Sequence, residues 1–574
     1  MSPIDTINNA KTLVATEPHK AKVMLLEVLN EHPEYHDGWA VLADTHKRLQ
    51  EHEQQQSALK QYEMIYWFNK QLDTAKQQLT NQNPQQAQQA QQTIQQLLKL
   101  VPNEYRALQT LADIALKVGD SKAYLDISKH NLENNSQKQA VLENYCQALL
   151  NTKQFEELLT FYRTSIPSPT LFIESLIAIA HVKMMQFDKA KAIYNKLLDA
   201  NYYAAHCHLR LGNIEKIKGD TELAITHYKQ ALQLDNRLGE AYWNLANLKT
   251  YTFNNRDIDS LVEQTQSAVQ NLNSAQLYFA LAKAYEQCHN YELSFKTLEK
   301  ANKIQKALTP YKPSNFTFRC KKYLTQRSIN NLTSNESLQL IFIVSLPRSG
   351  STLVEQILAS HPDVDASYEL TEINAIAREL ESKKLSDVPY GLDKLTDKDK
   401  AHYADRYLKF IAPLRGKNNI FIDKQPVNFH HIALIKTLFP NAKILEVTRD
   451  KAATAWSLYK HSFSEGHAYS YDFTSLAEYI NDYTDLMSHW HCLYPDEIFK
   501  VDYQNLVNDF SNTVSELLTY CDLEMHESCM SFYNHKRPIM TPSSEQVRQP
   551  IYKDALTEWS NYQVHLEPLL KLIK

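Results

Sequence analysis

The chain has 574 residues, of which 43% are hydrophobic and 22% charged, a composition typical of soluble globular proteins. Its 61 Lys and Arg residues against 66 Asp and Glu residues give a net charge of -5, which excludes a general electrostatic attraction to nucleic acid or to an anionic membrane. Such a length exceeds what one hydrophobic core usually serves, so at least two domains are expected, and any anionic ligand must be captured by local cations.

The first twenty residues contain neither a basic segment followed by an apolar stretch nor a small-residue cleavage site, so no signal peptide is predicted. No apolar run approaches the length of a membrane span. Seven cysteines are scattered and never spaced C-x-x-C, which argues against a disulfide framework or a zinc site. The His430-His431 pair and the His-Trp-His-Cys run at 489–492 look like metal ligands, but the run lies in a helical pattern, where residues two apart do not share a face. We therefore expect a cytoplasmic protein without a metal.

The N-terminal part of the chain carries a helical repeat. Only 9 glycines occur in the whole chain, against an ordinary share of about 7%, so turns are few. Ala190 and Ala224 are 34 residues apart, and the same spacing separates Tyr194 from Tyr228. Each helix pair of such a repeat must bury its apolar face against the next pair, which predicts an all-α solenoid. This period and pattern resemble the tetratricopeptide repeats, most clearly over residues 140–305.

The repeat pattern stops near residue 305, where KALTPYKPSNFTF supplies two prolines and several polar residues. We predict a tetratricopeptide-like domain at 1–305, a junction at 306–337 and a second domain at 338–574. The repeats could hold a protein or peptide on their concave face, or could only pack against the second domain or a second subunit. The sequence leaves both roles open.

The second domain begins with a phosphate-binding arrangement. Residues 338–345 predict a buried strand, and helical spacing starts at Ser351. The loop between them, Leu-Pro-Arg-Ser-Gly-Ser-Thr, combines helix N–H groups with hydroxyls and a guanidinium that suit an anion. It is not a Walker A loop, because a serine stands where lysine must follow the second glycine, which argues against an adenylylsulfate kinase or another P-loop phosphotransferase. The predicted binding residues are Arg348, Ser349, Gly350, Ser351 and Thr352.

This loop resembles the 5′-phosphosulfate loop of the sulfotransferases, P-R-S-G-[ST]-T-L after a buried strand. A second strand, AKILEVT, leads into Arg449 and Ser457, which stand eight positions apart like the family's pair for the donor 3′-phosphate. Guanidinium and hydroxyl groups suit a phosphate because they give charge-assisted hydrogen bonds. The resemblance implies an α/β, P-loop-like domain with a parallel sheet, and 3′-phosphoadenosine 5′-phosphosulfate as co-substrate without a metal. Lys451 departs from the family, which often has proline there.

Two segments carry candidate chemistry. The predicted strand NIFIDKQ contains Lys424, which matches the lysine that tyrosylprotein sulfotransferases place near the transferring sulfonate. Glu369 follows Arg348 by 21 positions, as a carboxylate does in the family. A carboxylate in a partly desolvated cleft can take the proton of an attacking hydroxyl. Glu372 is the rival candidate for this base.

The C-terminal segment TPSSEQVRQPIY, at 541–552, resembles the closing segment of tetratricopeptide-repeat-containing bacterial sulfotransferases. The resemblance assigns Ser543 to the transferring group and Arg548 to the surroundings of the 3′-phosphate. Tyrosylprotein sulfotransferases have a lysine where this chain has Glu558, and Lys553 is a candidate substitute for it.

The strand that ends in Tyr503 resembles the family strand that ends in Tyr-Glu-x-Leu. Tyr503 is a candidate for the nucleotide site. Equally, it could be a core aromatic residue whose hydroxyl is satisfied elsewhere.

Together these patterns predict a sulfotransferase that moves a sulfonyl group to an acceptor hydroxyl by in-line displacement. The acceptor stays open among peptide tyrosine, saccharide, lipid and small molecule, although the tyrosylprotein resemblance favours a peptide held by the repeats. That resemblance also implies a homodimer, and no nucleic-acid partner is expected. The alternative is a repeat-based interaction scaffold with a catalytically silent nucleotide-binding domain. The predicted catalytic residues are Arg348, Glu369, Lys424 and Ser543.

Overall fold

The computed structural model describes residues 2–80, 84–266, 269–325, 338–464, 466–539, 541, 544–551 and 553–574. The chain divides into two compact units, Met1–Leu197 and Leu198–Lys574. In these described ranges, every helix is too short or too polar to cross a lipid bilayer.

The first unit is built from helices, several of which begin at a proline, where the missing N–H costs no hydrogen bond. Neighbouring helices in the chain pack against each other through small and aromatic residues, and Ala190 and Tyr194 of the last one are buried. Helices α1–α11 span Pro3–Leu13, Pro18–Glu31, His36–Arg48, His52–Thr80, Pro84–Leu100, Tyr105–Lys117, Ser121–Asn135, Gln139–Asn151, Phe155–Ser165, Leu171–Lys183 and Phe187–Asp199.

The second unit begins with more helices of the same repeat. Ala224 and Tyr228, the repeat positions, are fully buried. Gly212 makes room for the tyrosine, because a Cβ at this glycine would lie 2.6 Å from Cε1 of Tyr228. The Tyr228 hydroxyl donates to Oδ1 of Asn213 over 2.9 Å. The period of 34 residues therefore marks a real helix contact. Helices α12–α18 span Ala204–Lys218, Thr221–Leu234, Gly239–Ala246, Asn255–Gln264, Leu272–Gln287, Tyr291–Leu308 and Pro313–Tyr323.

A five-stranded parallel sheet follows, in the strand order β2-β3-β1-β4-β5. The central strands are runs of apolar residues buried on both faces, as a parallel sheet covered by helices requires. The strands β1–β5 are Gln339–Ser345, Val364–Ala366, Ile420–Lys424, Lys443–Thr448 and Ile498–Asp502. The predicted fold class, a helical repeat followed by a parallel-sheet domain, is confirmed.

Helices cover both faces of the sheet. Short 3-10 turns connect several of them, including Pro426–His431 after β3 and Gln546–Arg548 near the C-terminus. Helices α19–α29 span Ser351–Ala359, Glu372–Lys383, Asp397–Ile411, Ile432–Leu438, Lys451–Tyr459, Phe473–Leu493, Tyr503–Asn508, Phe510–Tyr520, Glu527–Met530, Asp554–Thr557 and Gln563–Leu570.

The later repeat helices and one face of the sheet share a single hydrophobic core, which extends from Leu209 to Leu569. Helix α18 lies inside the predicted junction and packs on α24, where the rings of Phe316 and Tyr479 stack with centroids 4.2 Å apart. Residues 326–337 of that junction lie outside the described residues. The predicted domain boundaries stay a prediction.

Candidate active site

The loop predicted to bind phosphate joins β1 to α19, so the strand-loop-helix order is as predicted. Its backbone turns through two residues with positive φ, Arg348 at 69° and Gly350 at 102°. Positive φ is uncommon for a residue other than glycine, and here it turns the chain sharply between the strand and the helix. The Gly350 carbonyl accepts the N–H groups of Leu353 and Val354, at 2.9 and 3.2 Å. The N–H groups that precede them are those that a helix start leaves available for an anion.

The two predicted arginines and the predicted serine meet beside this loop. Nε of Arg348 donates to Oγ of Ser457 over 3.3 Å, and Nη1 of Arg449 donates to the Arg348 carbonyl over 3.1 Å. Tyr503, directly after β5, lies under the Arg449 guanidinium, 5.3 Å from the ring centroid, and touches Gly350. These residues converge because β4 and β5 run parallel to β1, so their carboxyl ends reach the same edge of the sheet.

A cleft opens at this edge and contains about 1370 Å³ of unfilled space, its mouth included. Ser349, by contrast, is buried in the loop and does not line the cleft. The predicted residues that line it are Arg348, Gly350, Ser351, Thr352, Arg449, Ser457 and Tyr503.

The candidate catalytic lysine lies at the end of β3 and is 1% exposed. Nζ of Lys424 donates to Oε1 of Glu369 over 2.5 Å and lies 3.8 Å from Oε2 of Glu355. Glu355 in turn pairs with Nη2 of Arg537 at 3.0 Å. The sequence analysis missed Glu355 and Arg537. Glu355 could have been found, because it lies one turn after Thr352 on α19, whereas Arg537 belongs to no motif.

The two rival carboxylates differ in their partners. Glu369 is 43% exposed and contacts Lys424, whereas Glu372 is buried and pairs with Nε of Arg406 at 2.6 Å. Burial raises the pKa of Glu372 above its ordinary value, although Arg406 opposes this shift. His467 lies near enough to Glu369 to sense its charge: burial lowers the pKa of this histidine to about 4, and the carboxylate opposes the shift. Glu369 therefore keeps the accessibility that a base needs.

The C-terminal segment gives mixed information. Ser543 lies outside the described residues, as does Tyr552. Nη2 of Arg548 donates to the carbonyls of Ile217 and Arg537, at 2.9 and 2.8 Å. Its role at the 3′-phosphate stays a prediction.

Glu558, which replaces a family lysine, is surrounded by lysines. Its Oε1 lies 2.7 Å from Nζ of Lys460 and 3.7 Å from Nζ of Lys283. Burial alone would raise the pKa of Glu558, but Lys460, Lys283 and Lys249 hold it well below its ordinary range. Lys553, the candidate substitute, is exposed. The local positive charge therefore comes from other lysines.

The histidines that looked like metal ligands have other partners. Nε2 of His491 lies 2.7 Å from Oε2 of Glu446, and Nδ1 of His431 lies 2.7 Å from the Tyr390 hydroxyl. In the part of the chain that the structure describes, no three His, Cys, Asp or Glu side chains are grouped to hold a metal ion.

Residues 340–527 match the model of the sulfotransferase family, a range that contains the predicted phosphate loop, Lys424 and Arg449 but ends before Ser543 and Arg548. Residues 212–249 and 275–308 match tetratricopeptide-repeat models. The C-terminal part of this chain is therefore a sulfotransferase domain preceded by tetratricopeptide repeats, and the predicted resemblance is confirmed.

Among curated proteins, the chain is similar to an uncharacterized protein of Aquifex aeolicus, with 31% identity over 326 residues, 54% of this chain and 42% of the relative. It is 26% identical over 263 residues to the protein-tyrosine sulfotransferase of Drosophila melanogaster, covering 42% of this chain and 51% of the relative. The human protein-tyrosine sulfotransferase 1 is 25% identical over 201 residues, covering 34% and 51%. The chain thus spans about half the length of these relatives.

Among solved structures, the chain is similar to the sulfotransferase domain of the Synechococcus PCC 7002 olefin synthase, with 21% identity and a TM-score of 0.31, covering 41% of this chain and 91% of that one. The sulfotransferase domain from the curacin biosynthetic pathway gives 17% identity and a TM-score of 0.28, covering 41% and 99%.

Proposed function

We propose that this protein transfers a sulfonyl group from 3′-phosphoadenosine 5′-phosphosulfate to an acceptor hydroxyl. The observation that carries the proposal is the convergence of Arg348, Arg449 and Ser457 in one cleft at the carboxyl edge of the sheet. Two guanidinium groups beside a loop of helix N–H groups suit a ligand with phosphates at both ends.

The residues of the cleft fit this donor. Arg449 and Ser457 would hold the 3′-phosphate, as the family resemblance implies. Arg348, with the start of α19, would hold the 5′-phosphosulfate, and its strained backbone fixes the direction of its side chain. Tyr503 packs against both Gly350 and Arg449 and so keeps the two halves of the site in register.

The chemistry divides between a base and a set of cations. Glu369 accepts the proton of the acceptor hydroxyl as its oxygen attacks sulfur. The bond between sulfur and the 5′-phosphate oxygen breaks, and adenosine 3′,5′-bisphosphate leaves. Arg348 and Lys424 stabilise the negative charge that develops on the sulfonyl and phosphate oxygens. Ser543 is proposed to donate a further hydrogen bond there.

For the acceptor we propose a peptide tyrosine, because several relatives are protein-tyrosine sulfotransferases and tetratricopeptide repeats suit peptide binding. A cytoplasmic location and a homodimer belong to the same proposal.

The first experiment is calorimetric titration of the full chain with adenosine 3′,5′-bisphosphate, with ATP as the competing nucleotide. We expect tight binding of the bisphosphate, weak or no binding of ATP, and loss of bisphosphate binding in Arg449→Ala. Arg237→Ala is the matched control, because this arginine is 75% exposed on the repeats and pairs with Asp235, two residues away. A folded wild-type chain that does not bind the bisphosphate would overturn the proposal. Binding would lead to an acceptor screen with tyrosine peptides and other hydroxyl compounds.

A further inference from the structure

The cleft has a second wall, which the sulfotransferase domain does not supply. Trp243 on α14 and Phe279 and Lys283 on α16 line it opposite the phosphate loop, and Lys249 lies at its exposed rim. All four belong to the tetratricopeptide repeats of the second unit. The repeats are therefore part of the surface that a ligand in this cleft would touch.

Lysines from the two domains meet on this wall. Nζ of Lys460, just after α23, lies 2.7 Å from Oε1 of Glu558 and 3.3 Å from Oε1 of Glu286. Lys283 pairs with the same two carboxylates, at 3.7 Å from Glu558 and in close contact with Glu286. Glu286 is buried, and Lys283 and Lys460 are 24% and 20% exposed. Both ammonium groups are held in place and still reach the cleft.

The charges of the cleft do not balance. Five lining side chains are cationic, namely Lys249, Lys283, Arg348, Arg449 and Lys460, and two are anionic, namely Glu286 and Glu558. This leaves an excess of three positive charges in a chain whose net charge is -5. An anionic ligand in the cleft would be attracted by this excess of positive charge.

The lysines also lie close to the proposed 3′-phosphate site. Lys460 is the first residue after α23 and follows Ser457 by three residues, a rise of about 4.5 Å on the same side of the helix. An ammonium group carries three N–H donors; Lys460 uses two on the glutamates, and its Nζ also lies 5.6 Å from the centroid of the Trp456 ring, which lines the cleft. A phosphate held by Ser457 would lie within reach of this group.

We propose that the repeat domain completes the donor site: Lys283, together with Lys460 and with Lys249 at the rim, binds the 3′-phosphate of the nucleotide. This inference rests on the proposed function. It also explains how the chain tolerates Glu558 in place of the family lysine, because the lysine on α16 restores positive charge at that position. Donor binding then depends on repeats that precede the sulfotransferase domain in sequence.

The test compares two nucleotides by calorimetric titration of the full chain. Lys283→Gln should weaken the binding of adenosine 3′,5′-bisphosphate about tenfold or more, because one charge-assisted contact is lost. It should weaken the binding of adenosine 5′-phosphate, which has no 3′-phosphate, by less than about twofold. Lys296→Gln is the matched control, because this lysine forms an exposed pair with Glu292 on the next repeat helix. Urea unfolding of each variant verifies that it is folded at the titration temperature.

A double variant distinguishes a direct contact between Lys283 and the 3′-phosphate from a general effect of the net charge of the cleft. Lys283→Gln combined with Glu558→Gln keeps the net charge of the cleft, so recovery of wild-type affinity would overturn the proposal, whereas persistent weakness supports it. Equal weakening of both nucleotides, or no change in Lys283→Gln, would also overturn it while the proposed function stands. If the wild type binds neither nucleotide, the proposed function itself fails.

Discussion

Replacing Lys424 by methionine separates the chemistry of this site from its folding. The lysine is almost fully buried, and its Nζ pairs with Glu369 at 2.5 Å and approaches Glu355 at 3.8 Å. Orphaning a buried charge usually costs 3–5 kcal/mol, on the order of a third of a domain's stability. Here Glu355 keeps Arg537, and the 43% exposed Glu369 can be hydrated, so we expect a loss of only about 1–2 kcal/mol. Turnover should fall by about 10²–10³, as for loss of one transition-state donor.

The assays are urea unfolding, affinity for adenosine 3′,5′-bisphosphate, and release of this product in the presence of tyrosine peptides. Lys424 does not line the donor cleft, so affinity for the bisphosphate should change less than threefold. Lys436→Met is a control that also removes a buried, paired lysine: this lysine is 3% exposed and pairs at 2.5 Å with Glu497, which is 47% exposed. Because Nζ of Lys436 also donates to the carbonyls of Pro440 and Ala442, this variant should lose at least as much stability as Lys424→Met, and it should keep turnover. Equal turnover in the two variants would refute a catalytic role for Lys424.

Glu369→Gln should lower turnover by about 10²–10³ and leave the affinity for the bisphosphate product unchanged. Glu372→Gln should mainly lower the midpoint of urea unfolding, because this buried carboxylate pairs with Arg406. The opposite result would exchange the roles of the two residues. Gly350→Ala should abolish bisphosphate binding in calorimetry, because its φ is 102° and a Cβ would lie 2.4 Å from Cδ2 of Tyr503; wild-type affinity would contradict the loop geometry. Because burial lowers the pKa of His467 to about 4, against opposition from Glu369, the unfolded chain binds its proton below pH 6.5 and the folded chain does not. This difference in proton binding lowers the free energy of unfolding of the wild type as pH falls from 6.5 to 4. Between pH 7.5 and pH 5, His467→Gln should therefore lose less free energy of unfolding than the wild type, by up to about 2 kcal/mol in urea titrations. Equal losses in the two proteins would contradict this prediction.

The sequence predicted the part of the site that depends on short local patterns. Arg348 and Gly350 belong to one strand-loop-helix segment, and three later strands end at or directly before Lys424, Arg449 and Tyr503. Because parallel strands deliver their carboxyl ends to one edge, a set of such segments predicts that Arg449 and Ser457 approach Arg348. Residues far from a strand end were harder to place. The contacts of Arg548 with two backbone carbonyls follow from the packing of the segment against α12, which no spacing encodes.

Side chains that depend on tertiary packing were missed for the same reason. The pair of Arg537 with Glu355 joins an irregular segment to α19, and neither partner predicts the other from its own neighbourhood. The sequence left open whether the repeats pack against the second domain, and the shared core shows that the later repeats do; the loss of repeat period near residue 305 reports a change of local pattern and not a gap in packing. The repeat period of the sequence describes individual helices, whereas the bounds of a compact unit depend on the contacts between helices and strands.

Electrostatics shows most directly why the repeats matter to the site. The net charge of -5 implied that an anion must be captured locally, but the five cations of the cleft come from positions 249, 283, 348, 449 and 460. Lys283 lies on a repeat helix and Lys249 in the turn after α14, whereas the other three cations lie on loops or helix ends of the sheet domain, so neither segment alone carries the excess charge. A sulfotransferase domain cut at residue 338 would lose Lys249, Lys283 and Glu286 together, which leaves Glu558 with Lys460 and the cleft without its second wall. Donor recognition in this chain is therefore expected to be a property of the second compact unit as a whole.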